Sequence, residues 1–314
     1  MEQKSNGQWL VIVNPNAGIG KCKRDWIFIS KLLEQYQINY YPVFTERPLQ
    51  AIDLVIEHVG RGFQKIIAVG GDGTMNEVVN GIFNQDHIPT TDITVAMISV
   101  GTGNDWARTY HIPLDYEKAV KIIRNENIMI QDAGIITYQN SKQQQKRYFV
   151  NMAGLGFDAL VAQKTNLDKI RGRGNPLLYL KNIFASLFSF KAASTSITID
   201  DNNKLKHNIF SIGIGLGKYN GGGMMQVPNA RPDNGIFDIT LIKEMSRWSV
   251  VFSLRMLYNG TIGKHKKVET MAGKNIRIES RPSILLEADG ESLGHSPIEL
   301  QIVPKSVKVV FNHL

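Results

Sequence analysis

From Trp9 to Arg124 the chain repeats one unit: a short apolar run, a turn rich in glycine or polar residues, then a segment with helical spacing. The apolar runs are Trp9–Val13, Asn39–Phe44, Lys65–Val69 and Thr94–Ser99. The helical patterns lie near Arg24–Tyr36, Leu49–His58, Met75–Ile82 and Asp115–Arg124. Strands this apolar must be covered on both faces, which predicts a parallel sheet between helix layers. Ligands of such sheets bind at the carboxyl ends of the strands. Near Ile128 the pattern changes to strand-like segments: Ile128–Tyr138, Arg147–Met152, Thr195–Asp200, Leu205–Leu216, Ile236–Ile242, Asn275–Glu279, Ile284–Glu287 and Ile298–Val303. Helical patterns around Pro176–Phe190 and Ser246–Tyr258 interrupt them, and the polar Asn140–Lys146 reads as a hairpin loop. The fold expected is α/β, with an N-terminal parallel-sheet domain over residues 1–128 and a second, mainly antiparallel β-rich domain over 129–304. The run Val307–Phe311 in the tail 305–314 is a candidate last strand; whether it returns to the first domain is left open.

A chain of 314 residues with 43% hydrophobic residues can bury a core without staples. Its single cysteine, Cys22, allows no internal disulfide and fits a reducing compartment. Trp9–Val13 is too short for the apolar region of a signal peptide, and no stretch approaches the roughly 20 apolar residues of a membrane span. These features suggest a cytoplasmic protein. The net charge of +8 is uneven: residues 1–128 carry 12 Lys+Arg against 14 Asp+Glu, and residues 129–314 carry 24 against 14. The surplus of +10 in the second part points to an anionic partner: nucleic acid, a phosphorylated substrate or an anionic membrane surface.

Three of the strands run into glycine-rich turns. The first is followed by "NPNAGIGK" at Asn14–Lys21, a turn able to aim backbone N–H groups at an anion but without Walker spacing. The third ends in Gly70-Gly71-Asp72-Gly73-Thr74, whose glycines let the backbone approach a ligand. Thr74 with Glu77 three residues on reads as a capping box for the following helix. A capped turn does not explain the acid between glycines; an Asp there can hold Mg²⁺, or order its water shell, beside phosphates on the loop amides. The fourth gives "ISVGTGNDWAR" at Ile98–Arg108, again Gly-x-Gly and then an acid, Asp105.

The combination of "VGGDGTMNEVVNGI" and "GTGNDWAR" closely resembles the catalytic domain of the diacylglycerol kinase and lipid kinase family, sphingosine kinases included. Similar stretches continue in order through "NMAGLGFDA" at Asn151–Ala159, "GGGMMQVPNARPDNGIFDI" at Gly221–Ile239 and "ADGE" at Ala288–Glu291. The resemblance implies a two-domain kinase with a nucleotide-binding first domain, ATP in the cleft between domains and Mg²⁺ as cofactor. The nucleotide contacts it implies are Asn14, Pro15, Asn16, Ala17, Gly18, Thr45, Gly70, Gly71, Asp72, Gly73, Thr74, Thr102 and Asn104. Its acidic network falls on Asp72 and Asp105, and its general base on Glu291 with Asp289 beside it. Its second metal site falls on Asp233 and Asn234 with the carbonyls of Arg231 and Ile236. Here the sequence departs from the family: Asn234 stands where the ligating Asp is expected, so either Asp233 substitutes or the site is weaker.

The function expected is transfer of the γ-phosphate of ATP to a lipid hydroxyl, most simply that of diacylglycerol to give phosphatidic acid. The alternatives are NAD-kinase-like phosphorylation of a soluble substrate and a non-catalytic regulator that binds nucleotide or lipid. The partners expected are the lipid substrate and, reversibly, an anionic membrane surface at the cytoplasmic face; a homodimer is left open. Nucleic-acid binding rests on charge alone and is not expected. The apolar stretch Asn175–Lys191, with Leu177, Leu180, Phe184, Leu187 and Phe188 on one broad face, reads as a buried helix or as the wall of an acyl pocket. The preceding "KIRGRGNP" and the cluster Lys264, His265, Lys266 and Lys267 read as solvated faces or as contacts to lipid headgroups.

Overall fold

The structure, a computed structural model, describes residues 7–140, 143–170, 176–201 and 203–313. The chain divides into two compact units, residues 1–132 with 305–314, and residues 133–304. The first holds β1 (Trp9–Val13), α1 (Ala17–Gln35), β2 (Tyr40–Phe44), α2 (Gln50–Gly60), β3 (Lys65–Gly70), α3 (Asp72–Asn84), β4 (Thr94–Ser99), α4 (Asp105–Thr109) and α5 (Tyr116–Asn125). Then follow β5 (Ile128–Asn140), β6 (Gln143–Phe149), β7 (Met152–Gly156), α6 (Phe157–Ile170), α7 (Pro176–Ser189), β8 (Ala193–Ile199) and β9 (Asn203–Gly215). The rest are β10 (Tyr219–Asn220), β11 (Met224–Met225), β12 (Phe237–Lys243), α8 (Arg247–Tyr258), β13 (Val268–Gly273), β14 (Asn275–Arg281), β15 (Leu285–Ala288) and β16 (Glu291–Val310).

In the first unit the strands run parallel in the order β2-β1-β3-β4. The last residues of β16 add to the edge beside β4, with Lys308 opposite Thr94 and Val309 opposite Val95. Every residue of β1 and β4 is buried, as strands covered on both faces require. Val11, Ile67, Val69 and Ile98 pack with Ile29 and Leu33 of α1, Val120 and Ile123 of α5, and Val310. Cys22 belongs to this core, and burial pushes its thiol up to about 12, so it is an apolar filler and not a nucleophile.

The second unit is antiparallel. β9 pairs with β7, β8 and β12, β12 with β13, β15 with β7 and β16, and β14 with β8 and β16. β8, "ASTSITI", alternates buried and half-buried residues along its length, the signature of a strand with one covered face. Its core gathers Ile197, Ile212, Ile214, Leu241, Ile278 and Leu286 around stacked Phe149 and Phe237, 5.6 Å between ring centres. A separate apolar cluster joins Phe157 and Val161 of α6, Ile183 and Leu187 of α7, and Val250 of α8 to Phe210 and Ile242.

Several sequence expectations are corrected. The first unit ends at Asp132 and not Ile128, because β5 runs without a break from one unit into the other. Pairing of β5 with β6 reaches Asn140 opposite Gln143, so ladder replaces most of the expected loop at 140–146. The expected strand Arg147–Met152 is split between β6 and β7, and α6 and β13 were not legible. On α7, Leu187 is buried with Ile183 while Phe184 and Phe188 are exposed, so the apolar residues occupy two faces and not one. The side chains of Leu177 and Leu180, and residues 171–175 of the basic glycine-rich segment, lie outside the described residues.

Candidate active site

In the first unit four adjacent parallel strands end on one edge, and their turns carry the residues singled out from the sequence. After β1, Asn14 accepts from the Asn16 N–H through Oδ1 (3.1 Å) and donates through Nδ2 to Thr74 Oγ1 (3.0 Å), tying the first turn to the start of α3. Pro15, Asn16 and Ala17 lead into Gly18, Ile19 and Gly20, all at positive φ, so the first turn of α1 is not helical. Ile19 is β-branched and exposed at φ 59°, a strained conformation of the kind that folds retain at functional loops. Thr45 follows β2 and is buried, its N–H donating to the Val13 carbonyl at 2.9 Å.

The glycines after β3 and β4 have a packing reason as well as a functional one. A methyl on Gly101 would lie 2.5 Å from the Gly71 Cα, and one on Gly70 would strike Thr74 Oγ1. The two turns therefore touch backbone to backbone, an approach open only to glycine. α3 begins at Asp72 with Gly71 as its N-cap, and no side chain caps it. The expected capping box is thus not formed. Thr74 is engaged by Asn14, and Glu77 accepts instead from the N–H groups of Leu49 (3.1 Å) and Ala51 (3.2 Å), capping the start of α2.

Asp72, with Gly73 beside it, leads α3 and accepts the Trp106 N–H on Oδ1 at 3.0 Å. Asp105 leads α4, is buried, and pairs with Arg108 at 3.8 Å. A methyl on Gly103 would lie 3.0 Å from Asp72 Oδ2 and 3.3 Å from Asp105 Oδ2. The two carboxylates thus converge on one side of Gly103. Beside them Asn104, held in the left-handed region, donates through Nδ2 to the Gly101 carbonyl (2.8 Å), while its buried Oδ1 has no hydrogen-bond partner. Thr102 is exposed on the same turn. The two carboxylates are hard oxygen donors and would suit one Mg²⁺, with water and phosphate completing its shell.

In the second unit "ADGE" is a two-residue hairpin turn. Ala288 pairs with Glu291, and Asp289 and Gly290 both take positive φ (49° and 81°), as this turn type demands. Glu291 opens β16, half-buried. Asp289 is buried, with its carboxylate accepting from the N–H groups of Val150, Asn151 and Met152, each at 3.0 Å. These bonds fix it as a bolt between this turn and the start of β7. Behind the turn Glu287 accepts from the Gly290 N–H at 2.9 Å and lies against Gly154. Burial pushes its carboxyl up to about 8; the Gly290 N–H and Asn220 pull it down by hydrogen bonding, and the neighbouring charges of Asp158 and Asp289 push it further up. Asp158, also raised by burial, accepts from Ser211 and Gln226. Sequence reasoning passed over Glu287 and Asp158 because each carboxyl sits in an otherwise ordinary strand or helix pattern.

The residues expected to hold a second metal, Asp233, Asn234, Arg231 and Ile236, lie on the turn before β12. Asp233 and Asn234 are exposed, and Asn234 Oδ1 accepts its own chain's Ile236 N–H at 3.3 Å, a local turn. Among the described residues no group of three or more His, Cys, Asp or Glu side chains is placed to hold a metal.

Comparison with known proteins bears on both units. Residues 8–136 match the model of the diacylglycerol kinase catalytic domain, and residues 151–311 that of the YegS C-terminal NAD kinase beta sandwich-like domain. A diacylglycerol kinase of Staphylococcus epidermidis is 31% identical over 96% of this chain and 93% of its own length. The chain belongs to the diacylglycerol kinase family. Another member, the diacylglycerol kinase of Staphylococcus haemolyticus, is 30% identical over 95% of this chain and 86% of its own. The fold is shared with the crystal structure of a diacylglycerol kinase from Bacillus anthracis, at a TM-score of 0.71 and 23% identity, covering 98% of this chain and 97% of that one. Among the described residues no helix is long and apolar enough to cross a membrane.

Proposed function

We propose that this member of the lipid kinase family transfers the γ-phosphate of ATP to the hydroxyl of diacylglycerol, giving phosphatidic acid and ADP. The observation that carries the reading is the convergence of Asp72 and Asp105 at the strand ends of a sheet whose sequence matches the diacylglycerol kinase catalytic domain. In this reading the turns at Asn14–Gly18, Gly70–Thr74 and Thr102–Asn104 bind and orient the phosphates. Asp72 and Asp105 hold Mg²⁺, which when bound neutralises charge on the phosphate oxygens. The lipid hydroxyl oxygen forms the new bond to the γ-phosphorus as the bridge to the β-phosphate breaks, and Glu291 accepts the hydroxyl proton. A carboxylate is a weak base for an alcohol, but in a loose transition state the proton leaves late, so it suffices. The enzyme acts from the cytoplasmic side on a substrate held in the membrane.

The match of the second unit to a NAD kinase β-sandwich-like domain favours one other reading, phosphorylation of a soluble acceptor. A panel assay separates them: γ-labelled ATP and Mg²⁺ with diacylglycerol, other lipid alcohols or NAD in mixed micelles. Label in phosphatidic acid supports the proposal. Label in another lipid alone replaces the acceptor, and label in NAD alone or in none of them overturns the lipid-kinase reading.

A further inference from the structure

α7 and α8 both pack on the second unit. Ile183 and Leu187 of one and Val250 of the other are buried in a common apolar cluster. Their opposite faces are unusual. Trp248 and Phe252 of α8 are 76% and 77% exposed, and Phe188 and Phe184 of α7 are 66% and 39% exposed. The spacing puts each pair on one helix face, at i and i+4. Arg247 joins the helices, its guanidinium 5.2 Å above the Phe188 ring and donating to the Phe188 carbonyl at 3.1 Å. Four large exposed rings on two helices that Arg247 joins are more than the single apolar residues scattered over an ordinary surface.

The charges on the two helices are of one sign. Neither helix has an acidic residue. Lys181 precedes Phe184 by three positions and Arg255 follows Phe252 by three, so both are on the exposed faces with the rings. The basic run 264–267 reaches the same place, with His265 Nε2 3.3 Å from the Ser249 hydroxyl and Lys264 and Lys266 exposed. The acids on flanking segments are engaged: Asp168 accepts from Asn182, and Glu244 from Asn208. At 14 and 12 residues the helices are too short to span a bilayer. Exposed aromatic rings ringed by Lys and Arg on short amphipathic helices suit the boundary between headgroups and acyl chains.

We infer that the exposed face of α7 and α8 is where this protein docks on an anionic phospholipid bilayer, with Trp248, Phe252, Phe184 and Phe188 inserting and Lys181, Arg247, Arg255, Lys264 and Lys266 on the headgroups. The inference rests on the proposed lipid substrate for its purpose, but its test does not depend on catalysis. Trp248 is a built-in probe, because Trp9 and Trp106 are buried and Trp26 is half-buried. On titration with phosphatidylcholine vesicles containing phosphatidylglycerol, Trp emission shifts to the blue. Trp248→Phe retains sedimentation with the vesicles and loses the shift. Trp248→Ala combined with Phe252→Ala lowers vesicle affinity by about tenfold or more, since two large apolar side chains no longer leave water. Arg247→Glu with Arg255→Glu lowers it by about fivefold or more, and the loss shrinks at high salt. Phosphorylation of a short-chain, detergent-dispersed diacylglycerol is the same in the alanine variant and the native chain. Vesicle binding without phosphorylation of any lipid leaves the docking face standing and removes the kinase reading. Lipid phosphorylation with a silent Trp248, or with vesicle binding equal in all variants, overturns the docking face. A native dimer that the alanine pair splits also overturns it, because a second copy then covers the face.

Discussion

Glu287 lies two residues before Asp289, buried, and holds the Gly290 N–H of the turn that presents Glu291. Its carboxyl is raised from 4.5 to about 8, chiefly by burial, so between these values the folded protein binds a proton that the unfolded chain releases. The associated stability is full below about pH 4.5 and is lost as pH rises through about 8. Asp158 adds in the same direction. Glu287→Gln should therefore gain melting temperature relative to the native chain as pH goes from 6 to 9, and parallel melting profiles would contradict a buried, titrating Glu287. Asp72 poses a different question, because its Oδ1 is already bonded to the Trp106 N–H while Oδ2 faces the Asp105 carboxylate across Gly103. Asp72→Asn keeps the size and the bond and removes a charge. The Mg²⁺ needed for half-maximal turnover should rise about tenfold or more with melting temperature unchanged, since a hard cation loses a full carboxylate. An unchanged Mg²⁺ requirement would make the turn structural. The acid between glycines was legible in the sequence as a ligand candidate. Its grouping with Asp105 on one sheet edge was expected too; the backbone contact of Gly71 with Gly101 that draws the turns together was not legible, because it is a tertiary fact.

The elements of the first unit follow closely from the apolar runs, since a strand covered on both faces must be apolar throughout. Their turns and caps do not. Thr74 and Glu77 have capping-box spacing, yet each bonds elsewhere, Thr74 to Asn14 and Glu77 to the start of α2. Local spacing cannot see a better partner brought up by the neighbouring helix. Glu77→Ala should then weaken α2, at a cost of about 1 kcal/mol for a lost cap, seen as a fall in melting temperature of about 2–4 °C. An unchanged melting temperature would contradict the cap. α7 shows the same limit on a helix. Ile183, Phe184, Leu187 and Phe188 are all apolar, so periodicity alone could not say which pair faces the core; packing buries the aliphatic pair and leaves the aromatic pair outside.

On the scale of the whole molecule, the two units divide the proposed work. The first carries the phosphate turns and the paired aspartates at the ends of parallel strands; the second carries Glu291 on a hairpin bolted by Asp289 to the start of β7. Charge is divided too, with the basic surplus in residues 129–314, where the aromatic face of α7 and α8 also lies. The change of pattern near Ile128 was legible because strand spacing differs from the α/β alternation before it. That β16 ends beside β4 was not, because a short apolar run carries no address. The central claim is that binding of ATP and acceptance of the proton belong to different units, and Glu291→Gln tests it most directly. The measurement is turnover of diacylglycerol with γ-labelled ATP, alongside ATP affinity by calorimetry, for the native chain and the variant. The account predicts a fall in turnover of about 10²–10⁴ with ATP affinity and melting temperature unchanged; near-native turnover in Glu291→Gln would contradict it.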